Sequence, residues 1–204
     1  MGEVMETNQP KAGGPLDRRA VVTALLEGRE DLLVVTGLGS PSYDVMAVGD
    51  HDNNYYLWAA MGSAMTVGLG LAKAQPGRTV LVVTGDGEAL MGLGGMATIA
   101  VQRPPNLTVA ILDNGHFGET GMQLSHAGRG IGLDKVAASC GFDWTAEITD
   151  MAGVSELRDQ IRKRDGVKLA AIKIKAENLP RVLPPRDGPF IKNRFRQALG
   201  FAPI

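Results

Sequence analysis

Cysteine is almost absent from the 204-residue chain: Cys140 is the only one. A single cysteine cannot form an internal disulfide, nor supply the thiolates of an iron–sulfur cluster or a structural zinc site. The chain also lacks a surplus of charge, with 21 basic and 22 acidic residues, so nothing favours nucleic acid or an anionic membrane as a partner. No apolar run reaches the length of a membrane span. These absences predict a cytoplasmic protein that binds neither nucleic acid nor a membrane.

Length and composition favour one globular domain over residues 1–204. The hydrophobic content of 44% and the charged content of 21% are ordinary for a globular protein with a sizeable core. Residues 1–15 are polar and lack the apolar centre of a secretory signal, so we expect a disordered leader. From residue 177 onward the chain is rich in proline, which predicts an extended C-terminal tail over 177–204, with a last helical turn or two at 193–199.

Short apolar segments alternate with helical patterns along the chain. Strands are predicted at residues 32–36, 79–84, 107–112, 144–148 and 168–175, and the most continuous of these runs are typical of strands buried on both faces. Helical spacing of apolar residues lies at 16–29, 61–74, 88–102 and 154–164. The polar stretch 50–54 is predicted to be a loop. This alternation predicts a three-layer α/β/α fold with a mostly parallel sheet of five or six strands.

The strongest motif is Gly85-Asp86-Gly87, followed after 25 intervening residues by Asp113-Asn114. Each motif ends an apolar strand, and a helix lies between them, so the two strands of this βαβ unit should run in the same direction. Asp86 and Asn114 should then emerge at the same edge of the sheet, from strands about 4.8 Å apart. A carboxylate and an amide oxygen suit Mg²⁺, and free backbone N–H groups near Gly87 suit an anion. The sequence therefore predicts a magnesium–diphosphate site.

The motif and its spacing resemble those of the thiamine-diphosphate-dependent decarboxylase and acetolactate-synthase superfamily. A closer resemblance is to the diphosphate-binding β-subunit of sulfopyruvate and phosphonopyruvate decarboxylases, and it is carried by the segments NNYYLWAAMGSAMTVGLGLA, GDGEALMGLGGMATIA and LDNGHFGETGMQLSH. The resemblance covers residues 32–175 and implies thiamine diphosphate and Mg²⁺ as cofactors. Many members of the family have Asn-Asn at the position of Asp113-Asn114, a departure that leaves the implied metal ligand intact.

The resemblance also implies roles for individual residues. Asp86, Asn114 and the backbone carbonyl of His116 would bind the metal. Met61, 25 residues before Asp86, would support the bent cofactor, and catalytic roles are implied for Met61, His116 and Glu119. The other residues expected to contact the cofactor are Gly39, Ser40, Gly85, Gly87, Glu88, Ala89, Phe117 and Gly118.

The implied reaction is decarboxylation of a small anionic 2-oxo acid, with sulfopyruvate as the leading substrate and phosphonopyruvate next. The reaction needs a glutamate against the cofactor's pyrimidine ring, which the family carries in a pyrimidine-binding domain or α-type subunit. This chain would therefore be active only with such a partner. Four basic residues are candidates to contact the anionic group of the substrate: Arg129, Arg181, Lys192 and Arg194. For each of them, a place on the solvated surface is the simpler interpretation.

Other functions stay open. An acetolactate-synthase-like carboligase or a 2-oxo acid oxidoreductase subunit would use the same half-site, although the cluster cysteines of the oxidoreductase are missing. The non-enzymatic alternative is a phosphate- or nucleotide-binding regulatory module. A dinucleotide site at Gly37-x-Gly39 is disfavoured because Ser42 stands at the position of the third glycine. His116 and His126 could take part in proton transfer, and Met61 could equally be a core methionine.

Overall fold

The computed structural model describes residues 13–204, so residues 1–12 of the expected leader lie outside the described part. Gly14 donates a backbone hydrogen bond of 2.7 Å to the carbonyl of Ile174. Leu16 forms an isolated parallel bridge with the same residue. The beginning of the described chain is therefore attached to the end of the last strand of the sheet.

Six strands form one sheet, in which every neighbouring pair is parallel. They are β1 (Leu33–Thr36), β2 (Asn54–Tyr56), β3 (Val80–Gly85), β4 (Leu107–Asp113), β7 (Trp144–Ile148) and β8 (Lys168–Lys173), in the order β2-β1-β3-β4-β8-β7. A separate antiparallel hairpin consists of β5 (His116–Phe117) and β6 (Gln123–Leu124). The predicted parallel sheet is confirmed.

Helices cover both faces of the sheet. They are α1 (Arg18–Leu26), α2 (Ser40–Val48), α3 (Ala64–Ala74), α4 (Asp86–Met91), α5 (Gly94–Gln102), α6 (Leu133–Cys140), α7 (Met151–Arg162) and α8 (Gly188–Ala198). Between residues 13 and 204, none of these helices has the length and apolarity needed to cross a lipid bilayer.

The core lies in two layers, one on each side of the sheet. Along β3, Val80 and Val82 point into the layer that contains residues of α3, α5 and α6. Leu81 and Val83 point into the other layer, which contains residues of α1 and α7. Because successive side chains of a strand face opposite sides, a continuous apolar run fills both layers. The predicted three-layer α/β/α fold is confirmed.

Two of the predicted elements near the cavity described below have different bounds. The helix expected at 88–102 is split into α4 and α5 by a break at Gly92 and Leu93. The helix expected from Met61 begins only at Ala64, so Met61 lies in the turn before α3. This turn has left-handed backbone at Ala60 (φ 57°) and at Gly62 (φ 97°). A left-handed residue cannot continue a right-handed helix, which accounts for the later start.

The predictions for the loop at 50–54 and for the tail also need correction. Asn54 begins β2, which pairs with β1 at the edge of the sheet. The tail, expected to be extended with a late helical turn or two, instead carries the 11-residue helix α8. This helix starts at Gly188 because the carboxylate of Asp187 accepts a hydrogen bond of 3.1 Å from the N–H of Phe190.

The break between α4 and α5 brings the backbone of Gly92 against that of Gly62. A Cβ added at Gly92 would lie 2.0 Å from the carbonyl oxygen of Gly62, so the backbone would have to shift. We expect Gly92→Ala to lower the free energy of unfolding by about 1–3 kcal/mol, as measured by urea denaturation. The matched control is Gly94→Ala in the first turn of α5, where an added Cβ meets nothing within 4 Å. Equal denaturation midpoints for the two variants would contradict this account.

Candidate functional site

Two polar residues leave the sheet side by side at its carboxyl edge. Gly85 at the end of β3 pairs in register with Leu112 of β4. Asp86 is the next residue after Gly85, and Asn114 follows two residues after Leu112. Because the two strands are parallel, both residues emerge at the same edge. The structure therefore brings together the two side chains that the motif predicts as neighbours.

A cavity of about 250 Å³ opens at this edge. The predicted site residues that line it are Ser40, Met61, Gly85, Asp86, Gly87, Glu88, Asn114, His116, Phe117, Gly118 and Glu119. Two predicted residues are not in its lining. Gly39 lies just beside it, where an added Cβ would be 3.1 Å from Oε1 of Glu119. Ala89 is buried in the hydrophobic core. Met61 is 42% exposed, so it is not a core methionine.

Asp86 is a buried carboxylate with too little positive charge around it. The pKa of Asp86 is raised from 3.8 to about 6: burial and the nearby Asp113 carboxylate raise it, and a hydrogen bond from Ser125 lowers it. The hydroxyl of Ser125 donates to Oδ2 of Asp86 at 2.5 Å. A divalent cation beside this carboxylate would offset both the burial and the repulsion. The electrostatic environment of Asp86 therefore fits a metal ligand.

Asn114 and His116 are held in place by each other. The amide oxygen Oδ1 of Asn114 accepts a hydrogen bond of 2.9 Å from the backbone N–H of His116. Nδ1 of His116 lies 2.8 Å from the backbone carbonyl of Asn114. Since a carbonyl can only accept, Nδ1 carries the proton of a neutral His116 ring. An amide oxygen has two lone pairs, so Oδ1 of Asn114 keeps one for a metal.

The Asp113 carboxylate stabilises the turn behind these ligands. Its Oδ1 accepts from the N–H of Gly115 at 2.9 Å, and its Oδ2 accepts from Nζ of Lys173 at 2.5 Å. Burial alone would lower the pKa of Lys173, but the hydrogen bond and the charge of Asp113 raise it overall. Asp113 is thus engaged by protein groups on both oxygens, in keeping with a supporting role. Among residues 13–204, no group of three or more His, Cys, Asp or Glu side chains could hold a metal.

Glu88 lies in the wall of the cavity, but protein donors occupy its oxygens. Oε2 accepts from Oγ1 of Thr84 at 2.7 Å and from the N–H of Leu38 at 3.1 Å. Oε1 accepts from the N–H groups of Gly62 and Ala64, both at 3.3 Å. The side chain is only 4% exposed. Glu88 therefore fixes the segments that follow β1 and precede α3 around the cavity.

The mouth of the cavity carries an ion pair. Glu119 accepts from the guanidinium of Arg181 at 2.9 Å and from Oγ of Ser40 at 3.4 Å. Of the four cations proposed to meet an anionic substrate, Arg181 is the one seen to contact a residue of the cavity lining. His126 is exposed and packs edge-on against Phe117, with ring centroids 6.2 Å apart. Lining residues that the sequence did not indicate are Arg18, Leu38, Pro41, Met91 and Leu112.

Comparison with known proteins identifies this kind of site. Residues 43–172 match the family described as "Thiamine pyrophosphate enzyme, C-terminal TPP binding domain". The chain is 36% identical over 200 residues to the phosphonopyruvate decarboxylase of Streptomyces viridochromogenes, covering 96% of this chain and 49% of that protein. It is also 36% identical over 163 residues to the sulfopyruvate decarboxylase subunit beta of Methanothermobacter thermautotrophicus, covering 80% of this chain and 84% of that subunit.

The chain thus spans about half the length of the phosphonopyruvate decarboxylase and most of the separate beta subunit. A solved structure from Mycobacterium smegmatis, provisionally described as a thiamin diphosphate-dependent enzyme, has the same fold, with a TM-score of 0.67 at 21% identity. That likeness covers 80% of this chain and 32% of the other. The family match contains both strand-end motifs and most of the cavity lining, and the chain therefore belongs to the thiamine pyrophosphate enzymes and contains their C-terminal TPP-binding domain.

Proposed function

We propose that the chain is the diphosphate-binding β-type subunit of a thiamine-diphosphate-dependent 2-oxo acid decarboxylase. Sulfopyruvate is the leading substrate and phosphonopyruvate the next. The observation that carries the proposal is the register of Gly85 with Leu112, which positions Asp86 and Asn114 at one cavity. Relatives named as decarboxylases, one of them a beta subunit, support the same reaction. A cytoplasmic location stays a prediction from the single cysteine.

The residues present fit a metal-bound diphosphate. Asp86, Asn114 and the backbone carbonyl of His116 would hold Mg²⁺, since all three offer hard oxygen atoms. Ser40 and Gly87, which line the same cavity, would contact the diphosphate. When bound, thiamine diphosphate supplies the nucleophilic carbon and the electron sink for decarboxylation.

Three lining residues would act on the cofactor and substrate. Met61 is presented to the cavity by the left-handed turn at Ala60 and Gly62, and its side chain would support the cofactor rings. His116 keeps Nε2 for proton exchange, because Nδ1 donates to the carbonyl of Asn114. Glu119 would order the mouth of the cavity through its contacts with Arg181 and Ser40.

The carboxylates of this chain support the need for a partner. The pyrimidine ring requires a glutamate that is free to contact it. In the described cavity lining, Glu88 accepts from four protein donors and Glu119 is paired with Arg181. Neither carboxylate is available without breaking existing contacts. We therefore assign the catalytic glutamate to an α-type, pyrimidine-binding subunit.

Activity with and without that partner tests the proposal. We expect the chain alone to release no measurable CO₂ from sulfopyruvate or phosphonopyruvate. The co-purified pair should be at least about 10²–10⁴-fold faster, the usual contribution of a positioned acid or base. Calorimetry should show Mg²⁺-dependent binding of thiamine diphosphate that is weak for the lone chain and tighter for the pair. Full activity of the lone chain would refute the need for a partner, and acetolactate formation from pyruvate would favour the carboligase.

A further inference from the structure

A second cavity, of about 270 Å³, opens at the amino-terminal ends of the strands, opposite the carboxyl edge where Asp86 lies. Its walls include Leu32 and Thr79, which immediately precede β1 and β3, whereas Asp86 immediately follows β3. A strand rises about 3.3 Å per residue, so the six residues of β3 separate the two cavities by roughly 20 Å. The second cavity is therefore distinct from the proposed cofactor site.

Arginines dominate the polar wall of this cavity, and most of them have no carboxylate partner among residues 13–204. The four lining arginines are Arg29, Arg158, Arg162 and Arg164. Arg158 forms an ion pair with Glu27. Arg162 instead donates to the backbone carbonyls of Glu27 and Gly28, at 3.1 and 3.4 Å. Arg164 donates to the backbone carbonyl of Gly77. These two guanidinium groups therefore keep their full positive charge at the cavity.

The acidic residues of the wall do not cancel this charge. Glu27 is taken by Arg158, and Asp31 lies 3.7 Å from the guanidinium of Arg78. Glu30 is exposed, and the structure shows it in no ion pair with another described residue. Arg29, Arg162 and Arg164 thus face one unpaired carboxylate, which leaves a local surplus of positive charge.

Arg29 shows most clearly that a counter-charge is missing. Its guanidinium donates to the backbone carbonyl of Leu32 at 3.1 Å, and its buried Nε has no hydrogen-bond partner among the described residues. Burial lowers the pKa of Arg29 to about 10, because the nearby Asp50 carboxylate offsets the burial only in part. A partly buried cation without a close counter-charge is costly, and an anion in the adjoining cavity would reduce that cost.

We propose that this cavity binds a small, multiply charged oxyanion against Arg29, Arg162 and Arg164. Guanidinium groups match the paired oxygens of phosphate and carboxylate groups, so the site suits a phosphorylated or polycarboxylate metabolite. The volume lies just below the range of about 300–1,000 Å³ that is typical of larger ligands, which favours a small one. The Gly28 backbone is left-handed (φ 60°), and a Cβ there would be 3.0 Å from the Arg162 guanidinium. The loop therefore packs directly against one of the proposed anion ligands.

Calorimetry on the full chain tests this site with pyrophosphate and with citrate as probes. The titrations contain EDTA and no thiamine diphosphate, and potassium chloride of equal ionic strength is the reference. We expect one saturable site, whose affinity falls about tenfold or more in Arg29→Met and in Arg162→Gln. Asp86→Asn should bind as the wild type does, which separates this site from the proposed cofactor site. A response to only one probe decides between phosphorylated and polycarboxylate ligands.

The matched control is Arg103→Gln, an exposed arginine that pairs with Asp143 outside the cavity. This variant should bind both probes with wild-type affinity. The proposal would be overturned if the wild type showed no saturable binding of either probe. It would also be overturned if Arg103→Gln lost as much affinity as Arg29→Met, because binding would then be a nonspecific effect of positive charge.

Thermal denaturation separates an anion-binding role of Arg29 from a purely structural one. With an anion site, Arg29→Met leaves the anion-free midpoint unchanged or raised and removes the increase that the probe causes in the wild type. A structural role would instead lower the midpoint of Arg29→Met by the same amount with and without the probe. That result would count against the site.

Discussion

Asp86→Asn is expected to abolish Mg²⁺-dependent binding of thiamine diphosphate and at the same time to stabilise the empty chain at neutral pH. Asparagine has nearly the same shape as aspartate and keeps an oxygen for the hydroxyl of Ser125, but it carries no charge. In the wild type, burial raises the pKa of Asp86 from 3.8 to about 6, so the charged form is disfavoured in the folded chain. A shift of this size corresponds to at most about 3 kcal/mol at pH 7.

The sign of the pH dependence follows from the direction of this shift. The folded chain holds the proton of Asp86 more tightly than the unfolded chain does. The stability that this proton contributes is therefore present below about pH 4 and lost as the pH rises through about 6. The stability difference in favour of Asp86→Asn should thus grow between pH 4 and 6 and then level off.

Urea denaturation in EDTA from pH 4 to 8 measures this difference. Asp159→Asn is the control, since Asp159 is exposed on α7, and its stability should follow the wild type at every pH. A variant Asp86→Asn that is less stable than the wild type at pH 7 would show that the buried charge is already compensated within the chain.

Calorimetry with Mg²⁺ and thiamine diphosphate measures the expected loss of cofactor binding in Asp86→Asn. Loss of a group that only supports a metal ligand costs about 10–100-fold in affinity, so loss of the ligand itself should cost at least about 100-fold. In the wild type, binding should also weaken below pH 6, because protons then compete with the metal for Asp86. Unchanged binding by Asp86→Asn would remove Asp86 from the metal site.

The sheet and the pair of strand-end ligands could be predicted because their signals are local. β3 and β4 are buried on both faces, so each appears in the sequence as an unbroken apolar run. The chain direction of a βαβ unit then fixes where Asp86 and Asn114 emerge. No information about distant parts of the chain was needed for either step.

One of the elements that were missed depends on a distant contact. β2 is a three-residue strand whose Tyr55 packs against Phe195 of α8 at a ring distance of 5.3 Å. No local pattern around residue 55 indicates this contact. The start of α8 did have a local signal, because Asp187 followed by Pro189 is typical of a helix N-terminus. The proline content of the tail concealed it.

The difference between local signals and distant contacts also holds within the candidate site. Ser125 reaches Asp86 only because the β5–β6 hairpin folds back over the sheet edge, and Arg18 lines the cavity from the first helix. Ser125 stands in the segment LDNGHFGETGMQLSH, but no spacing within it points to Asp86, and Arg18 lies outside the resemblance. Glu88 was predicted as a cofactor contact, and the structure shows its protein partners, which a motif cannot reveal. Its contact with the cofactor stays a prediction.

Glu88→Ala is expected to destabilise the chain by about 3–5 kcal/mol, because it leaves buried and partly buried donors from three segments without an acceptor. The N–H groups of Leu38, Gly62 and Ala64 and the hydroxyl of Thr84 all donate to this carboxylate. Each buried donor left unsatisfied costs about 1–3 kcal/mol, and water entering the space recovers part of the sum. Urea denaturation gives the free energy of unfolding for comparison with Glu156→Ala, an exposed position on α7 that should change it by less than about 0.5 kcal/mol.

Glu88→Gln separates the acceptor role of the side chain from its size. The amide keeps one oxygen for two of the donors but turns an N–H₂ group toward the other two, so its stability should lie between those of the wild type and Glu88→Ala. In the folded fraction of both variants, the turn that carries Met61 should be less protected from amide hydrogen exchange than in the wild type. The reason is that the N–H groups of Gly62 and Ala64 both donate to one oxygen of Glu88. Wild-type stability of both variants would mean that the hydrogen bonds of Glu88 do not hold the cavity wall together.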